Sequence, residues 1–215
     1  MTKVNKGLLF GVSAYIIWGL LPLYWKLVEE AGAYEILAHR GIWSLLICVS
    51  LLALRKQLKS AYEMVRSSRT FSLLFLASGL LTINWGVYIW SVTVNRVVEA
   101  ALGYYITPLI NVTFGVLLLR EKLRPAQWIA VALAAAGVVI LTLGYGSLPW
   151  IALVLAISWG SYSLIKKSLN LGALETLSLE TLFAFLPNLV FLFIIQGNGS
   201  SEFGSTWTIS ILLFG

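Results

Sequence analysis

The sequence contains no aspartate, one cysteine and one histidine in 215 residues. The absence of aspartate excludes an intramembrane aspartyl protease and a magnesium site built from aspartates. Cys48 and His39, each the only residue of its type, cannot form an internal disulfide, a zinc site or the usual nucleophile and base pairs of hydrolases. Glycine motifs that bind nucleotide phosphates are also missing. We therefore expect a protein that is not an enzyme and holds no metal or cofactor.

Charged residues are scarce as well, at 11% of the chain, whereas 59% of the residues are hydrophobic. One soluble core could not enclose so much apolar surface, so we predict a membrane protein embedded in the lipid bilayer. A helix needs about 20 apolar residues to cross a bilayer. Seven segments meet this length, and an eighth begins at Trp207: the seven are 7–27, 34–54, 71–93, 98–119, 125–143, 148–165 and 175–195. The predicted fold class is all-α, a polytopic helical membrane bundle.

Basic residues are distributed unevenly among the connections between these segments. With a cytoplasmic N-terminus, only Lys26 and Arg96 fall on the outer side. The other side carries twelve: Lys3, Lys6, Arg55, Lys56, Lys59, Arg66, Arg69, Arg120, Lys122, Arg124, Lys166 and Lys167. This bias predicts a cytoplasmic N-terminus. It also explains the net charge of +6 as a topology signal, so we expect no nucleic-acid partner.

The chain also contains a weak internal repeat. YIIWGLLPLYWK from residue 15 aligns with AISWGSYSLIKK from residue 156, which matches Trp18 to Trp159. Further along, EILAHR from residue 35 aligns with ETLSLE from residue 175, after a spacer that is one residue shorter in the second unit. This alignment places Arg40 opposite Glu180. The first unit has five spans, an odd number, so the second must enter the membrane from the opposite face. We therefore predict an inverted repeat of five transmembrane helices with the second repeat incomplete. The units are residues 1–143 and 144–215.

Four stretches carry a resemblance to a known family: GLLFGVSAYIIWGLLPLYWK, HRGIWS, NWGVYIWSVTVNRVVEAALGYYITPLINV and LREKLRPAQWIAVALAAAGV. With these stretches, densest between Asn84 and Gly137, the chain resembles the RarD subgroup of the EamA family, in the drug/metabolite transporter superfamily. The resemblance implies a bacterial inner-membrane carrier of ten helices in two five-helix repeats. The subgroup is named for a link with chloramphenicol sensitivity. The sequence ends nine residues into the eighth helix of that plan.

Two of the predicted spans each carry a face of polar and aromatic residues at helical spacing. They are Asn84, Tyr88, Ser91 and Asn95 in 71–93 and beyond, and Tyr104, Pro108, Asn111 and Gly115 in 98–119. Amide groups are unfavourable in lipid, so both faces should point inward. They either pack helices through hydrogen bonds of ~0.6 kcal/mol or line a substrate cavity with Trp85, Tyr88, Tyr104 and Tyr105 as an aromatic wall. Pro108 either frees the Tyr104 carbonyl for a substrate or serves packing alone.

His39 and Arg40 are adjacent polar residues within the second apolar segment. Arg40 either extends to the outer headgroups or faces the cavity as an anion contact or outer gate, with Glu180 as its inner counterpart. We expect the two to lie on opposite sides of the midplane without forming a salt bridge. His39 serves packing or carries a proton. The site candidates for substrate binding are Trp18, His39, Arg40, Asn84, Trp85, Tyr88, Tyr104, Tyr105, Pro108, Asn111, Trp159 and Glu180.

The residues and the resemblance favour secondary transport of a small organic molecule across the bacterial inner membrane, with export as the expected direction. Glu180, Glu99 or His39 could carry a coupling proton. One alternative is a fragment that inserts in the membrane and has only a structural role. Another is a homodimer that completes the bundle, although the charge bias disfavours two chains in opposite orientations.

Overall fold

Residues 3–118, 120–145, 149–169 and 171–214 are described by the computed structural model, and within them the chain folds into nine α-helices. They are α1 (Lys3–Leu27), α2 (Gly32–Leu54), α3 (Leu58–Val65), α4 (Ser68–Thr93), α5 (Val97–Leu117), α6 (Pro125–Tyr145), α7 (Trp150–Leu169), α8 (Ala173–Gly197) and α9 (Trp207–Leu212). A 3₁₀ turn, Glu29–Ala31, joins α1 to α2. The described residues contain one isolated β-bridge, between Phe203 and Thr206, and no strand. The predicted all-α class is confirmed.

Six of the described helices are long and apolar enough to cross a membrane. They cover Gly7–Leu27, Glu29–Leu54, Ser68–Thr93, Val97–Leu117, Pro125–Gly144 and Ala173–Gly197. Within the described residues the segment predicted at 148–165 is also a helix, α7, which is not among the six and carries Lys166 and Lys167 in its last turn. The eighth predicted segment starts where α9 starts, at Trp207. These helices confirm the predicted polytopic membrane bundle.

The helices run between two ends of the bundle. At the loop end, next to the connection 198–206, the C-terminus of α1 shares an apolar cluster with residues of α2, α4 and α9. At the lysine end, Lys167 of α7 pairs with Glu121 at 3.0 Å. The ring of Trp150, at the start of α7, packs against Trp90 with 5.5 Å between centroids. Helix α7 therefore begins at the loop end, and it runs opposite to α1.

Helix α4 occupies the centre of the bundle, where it contacts α1, α2, α5, α7 and α8, and α2 also packs against α8. Helix α7 packs against α4 and α5. The contact with α5 is close because Gly103 has no side chain. A Cβ atom there would lie 2.9 Å from Cβ of Leu155 and 3.1 Å from the carbonyl oxygen of Ala152. Small residues of this kind let membrane helices approach each other. This contact holds α5 close against α7.

Candidate functional site

Arg40 lies inside the bundle, eight residues along α2 from Gly32, or about 12 Å at 1.5 Å per residue. Its guanidinium carbon is 3.7 Å from the ring centroid of Trp85 in α4 and 5.5 Å from that of Trp25 in α1. Its electrostatic neighbours include three phenols, those of Tyr24, Tyr88 and Tyr104. Helices α1, α2, α4 and α5 therefore converge on one cation. We call Trp25, Arg40, Trp85, Tyr88 and Tyr104 the arginine cluster.

The arginine cluster is partly open to its surroundings. Arg40 is half-buried, and 48% of the surface of Tyr104 is exposed. The rings of Tyr88 and Tyr104 meet edge to face, with 6.0 Å between their centroids. The ion pairs among the described residues involve basic side chains other than Arg40. The cluster is thus an accessible aromatic enclosure around a charge that no described carboxylate neutralises.

Glu180 forms a second polar cluster nearer the lysine end. It lies seven residues along α8 from Ala173 and is 1% exposed. Its Oε1 accepts a hydrogen bond from Nζ of Lys166 at 3.0 Å, and its Oε2 accepts one from the hydroxyl of Tyr162 at 3.0 Å. Lys166 also donates to the hydroxyl of Thr176. We call Tyr162, Lys166, Thr176 and Glu180 the glutamate cluster; its carboxylate pairs with Lys166 and not with Arg40.

A small cavity borders one residue of each cluster. Its volume is about 20 Å³, which is room for about one water molecule. Trp85 of the arginine cluster and Glu180 of the glutamate cluster both line it, together with Asn188. Ser78 of α4 donates to the backbone carbonyl of Glu180 at 2.6 Å. Trp85 therefore touches both the Arg40 guanidinium and the cavity beside Glu180.

A larger cavity, of about 230 Å³, opens at the lysine end between α5 and α7. Asn111, one of the predicted substrate contacts, lines it together with Ser163 and the Glu121–Lys167 pair. This cavity holds no residue of either cluster. The structure therefore separates Asn111 from Tyr104, although both were predicted on one face of the same helix.

His39 lies at the loop end, outside the arginine cluster. Its ring stacks on Phe203, with 4.7 Å between centroids, and its Nε2 is 3.9 Å from Oε1 of Glu35. The Glu35 carboxylate in turn accepts hydrogen bonds from the hydroxyl of Ser201 at 2.7 Å and from the backbone N–H groups of Glu202 and Phe203, each at 3.0 Å. His39 and Glu35 thus fasten the connection 198–206 onto α2.

Asn84 is buried between α4 and α7. Its Nδ2 donates to the carbonyl of Leu155 at 3.0 Å and to the hydroxyl of Ser158 at 2.9 Å. Both donors of the amide are therefore used within the protein, as the helix-packing interpretation expects. Asn95 does not extend the same face, because α4 ends at Thr93 and Asn95 adopts a left-handed φ of 61° in the turn. Asparagine tolerates that conformation better than most residues.

The other predicted contacts lie outside the two clusters. Trp18 is 55% exposed and packs edge to face against Tyr15 of its own helix, and Tyr105 is 74% exposed. Pro108 lies on an exposed side of α5, which continues through it to Leu117. Trp159 packs against Tyr162 of the glutamate cluster, with 5.4 Å between ring centroids. Arg40, Trp85, Tyr88 and Tyr104 are the predicted residues that the structure gathers in one place.

Five residues of these sites are absent from the predicted set: Trp25, Glu35, Tyr162, Lys166 and Thr176. Lys166 adjoins Lys167 at the end of an apolar segment, and such a position is typical of a basic residue that orients the chain in the membrane. Its spacing of four residues from Tyr162 places both side chains on one face of α7, and that spacing is visible in the sequence. Trp25 and Glu35 offer no comparable signal, since their partners come from distant parts of the chain.

The chain matches known proteins over most of its length. Residues 5–143 match the model of the EamA-like transporter family. Protein RarD of Streptomyces exfoliatus is 50% identical over 202 residues, which are 94% of this chain and 64% of that protein. The uncharacterized transporter YojE of Bacillus subtilis is 43% identical over 216 residues, 98% of this chain and 72% of that protein.

A more distant relative, the chloramphenicol-sensitive protein RarD of Pseudomonas aeruginosa, is 29% identical over 183 residues, 83% of this chain and 61% of that protein. No solved structure matches the chain. The chain therefore spans between 61% and 72% of the lengths of these three relatives. The family model, the identity to a RarD protein and the apolar helices agree in indicating a transporter and not an enzyme. This chain belongs to the EamA-like transporter family and is of the RarD type.

Proposed function

We propose that the chain acts as a secondary carrier that exports small organic molecules across the bacterial inner membrane, with its N-terminus in the cytoplasm. The observation that carries the proposal is the arginine cluster, where four helices enclose one cation with aromatic rings. Ligand sites are lined mainly by apolar and aromatic side chains with a few polar groups. An ionisable residue within a membrane is by default a functional candidate. Arg40, Trp85, Tyr88 and Tyr104 are the substrate contacts in this proposal.

The carrier operates as an inverted repeat of units 1–143 and 144–215. The opposite directions of α1 and α7 support this arrangement, as does the family match, which ends at the proposed boundary. Such repeats place the substrate site near the midplane and open it alternately by movement of one unit against the other. In this scheme the small cavity beside Trp85 lies on the route between the arginine cluster and the glutamate cluster.

A topology experiment tests the orientation and the repeat together. An epitope inserted at 144–146 should be accessible to antibody from outside intact spheroplasts, and one inserted next to Lys56 should not. The inverted arrangement would be contradicted if only the epitope next to Lys56 were accessible. It would also be contradicted if neither epitope were accessible before permeabilisation and both were accessible after it.

Transport is tested with chloramphenicol, the compound after which the Pseudomonas relative is named. Everted membrane vesicles that contain the chain should accumulate labelled chloramphenicol faster than vesicles without it. Trp85→Ala should reduce this rate, because the indole forms the wall of the cluster, whereas Trp128→Ala, on the exposed side of α6, should not. Equal rates with and without the chain would contradict transport of this compound, and equal effects of the two variants would contradict the site.

A further inference from the structure

Arg40 and Arg96 both lie near an indole ring, but within the described part of the chain only Arg96 is paired with a carboxylate. Arg96 lies 5.9 Å from the ring centroid of Trp150, and its Nε and Nη2 donate to the two carboxylate oxygens of Glu99 at 2.6 and 2.8 Å. Arg40 lies closer to an indole, at 3.7 Å from Trp85, yet among the described residues it forms neither an ion pair nor a hydrogen bond. Arg96 therefore has a carboxylate partner for its guanidinium, and no described residue provides one for Arg40.

Three carboxylates on neighbouring elements are already engaged. Glu29 binds Nζ of Lys26 at 2.6 Å, Glu35 accepts hydrogen bonds from the connection 198–206, and Glu180 pairs with Lys166. A rotamer change at Arg40 could gain one of these acids only by breaking its existing contacts. An unpaired charge within the membrane is costly, so the arrangement favours an anion that the described residues do not supply.

The geometry around Arg40 also specifies the shape of that anion. Aromatic rings lie over the guanidinium, which leaves the N–H donors at its planar edge available. That edge matches two oxygens of a carboxylate held side by side. The rings of Tyr88 and Tyr104, which meet at a centroid distance of 6.0 Å, provide an apolar wall with phenol groups beside the cation.

We propose that the arginine cluster binds small organic anions, with the carboxylate on the Arg40 edge and an aromatic or other apolar body against Tyr88 and Tyr104. The inference rests on the proposed carrier function, because it names the substrate class of the same site. Of the three roles considered for Arg40, which are contact with the outer headgroups, an outer gate and an anion contact, the proposal selects the anion contact.

The experiment uses three probes of similar shape and different charge: phenylacetate, phenylacetamide and phenethylamine. The chain is purified in maltoside micelles without phosphate or added lipid, and binding is followed by tryptophan fluorescence, since Trp85 adjoins the guanidinium. A charge-assisted pair should make phenylacetate bind on the order of 10- to 100-fold more tightly than phenylacetamide. Phenethylamine should bind most weakly of the three.

Three variants assign the preference to Arg40. Arg40→Gln should abolish the preference for phenylacetate, and Arg40→Lys should retain part of it, because lysine keeps the charge and loses the planar edge. Arg96→Gln is the matched control and should leave the preference unchanged, since Glu99 already occupies that guanidinium. Elution as a single species in size exclusion checks that each variant is folded, and Arg40→Lys keeps the test informative if Arg40→Gln is not.

Several results would overturn the inference. One is equal binding of phenylacetate and phenylacetamide, which includes no fluorescence change with either. Another is a preference for phenylacetate that persists in Arg40→Gln. Displacement of phenylacetate by short-chain phosphatidylglycerol would assign the guanidinium to a lipid phosphate and would also overturn it. Chloramphenicol transport in vesicles reports on the carrier function separately, because this compound is neutral; transport without anion preference would remove only the substrate class.

Discussion

Replacing Lys166 by methionine tests how strongly the bundle depends on neutralising Glu180. The Glu180 side chain is fully enclosed, that of Lys166 is 22% exposed, and Nζ lies 3.0 Å from Oε1. Removing one partner of a buried ion pair costs about 3–5 kcal/mol because the other charge remains. The partial exposure of Lys166 places our expectation at the lower end, about 3 kcal/mol of unfolding free energy. Methionine retains an unbranched apolar chain, so the change removes charge and largely preserves packing.

The adjacent Lys167 provides a matched control. Its pair with Glu121 has the same 3.0 Å nitrogen to oxygen distance, but the two side chains are 66% and 52% exposed. Exposed pairs contribute about 0.2–1 kcal/mol, so Lys167→Met should cost less than about 1 kcal/mol. The difference between the two variants, about 2 kcal/mol, is roughly a 30-fold change in the ratio of folded to unfolded protein.

The assay is reversible unfolding in maltoside micelles titrated with dodecyl sulfate, followed by far-ultraviolet circular dichroism. Glu180→Gln is measured alone and together with Lys166→Met. The double variant leaves neither charge unpaired, so its loss should be smaller than the sum of the two single losses. Equal losses for Lys166→Met and Lys167→Met, or strict additivity in the double variant, would refute the argument that burial of the pair determines its energy.

Three further changes test the packing of the bundle. Gly103→Ala should lower the unfolding free energy by about 1–3 kcal/mol because its Cβ would collide with α7. Gly79→Ala is the control: a Cβ at Gly79 would meet no atom of another element within 4 Å, so this change should be neutral or stabilising. Asn84→Ala should cost about 0.6–1.7 kcal/mol in the same assay, because two bonds to α7 are lost; an unchanged value would contradict a packing role. Glu35→Gln should raise hydrogen exchange in the connection 198–206, and Glu30→Gln, on an exposed turn residue, should not.

The fold was predictable because the length and apolarity of a spanning helix are local properties of the sequence. Helix α6 begins at Pro125, as the apolar segment predicted, and proline is favoured at a first helical position. Helix α9 begins at the predicted Trp207. The turn at Asn95 was missed because periodicity alone extends a helical face until a residue stops it. Here the stop is a left-handed asparagine, which the spacing of polar residues does not show.

The site was predictable only where a residue differs in polarity from the segment around it. A charge in an apolar run marks Arg40 directly, and the polar faces brought Trp85, Tyr88 and Tyr104 into the same prediction. Trp25 joins them because α1 and α4 contact each other, and nothing in the sequence around Trp25 specifies that contact. Lys166 was misjudged for a related reason. Its charge fits the topology signal, and only the position of α8 shows that Glu180 uses it.

Charges in this chain therefore have to be judged by their partners and not by their number. Most of the net charge of +6 comes from residues in the connections, which orient the chain and say little about a ligand. Inside the bundle, Glu180 and Lys166 neutralise each other, and the Glu35 carboxylate is satisfied by a hydroxyl and two N–H groups. Arg40 is different because its described neighbours are aromatic and supply no negative charge. A group that costs free energy to bury and has no stabilising partner of its own is where a binding function should be sought first.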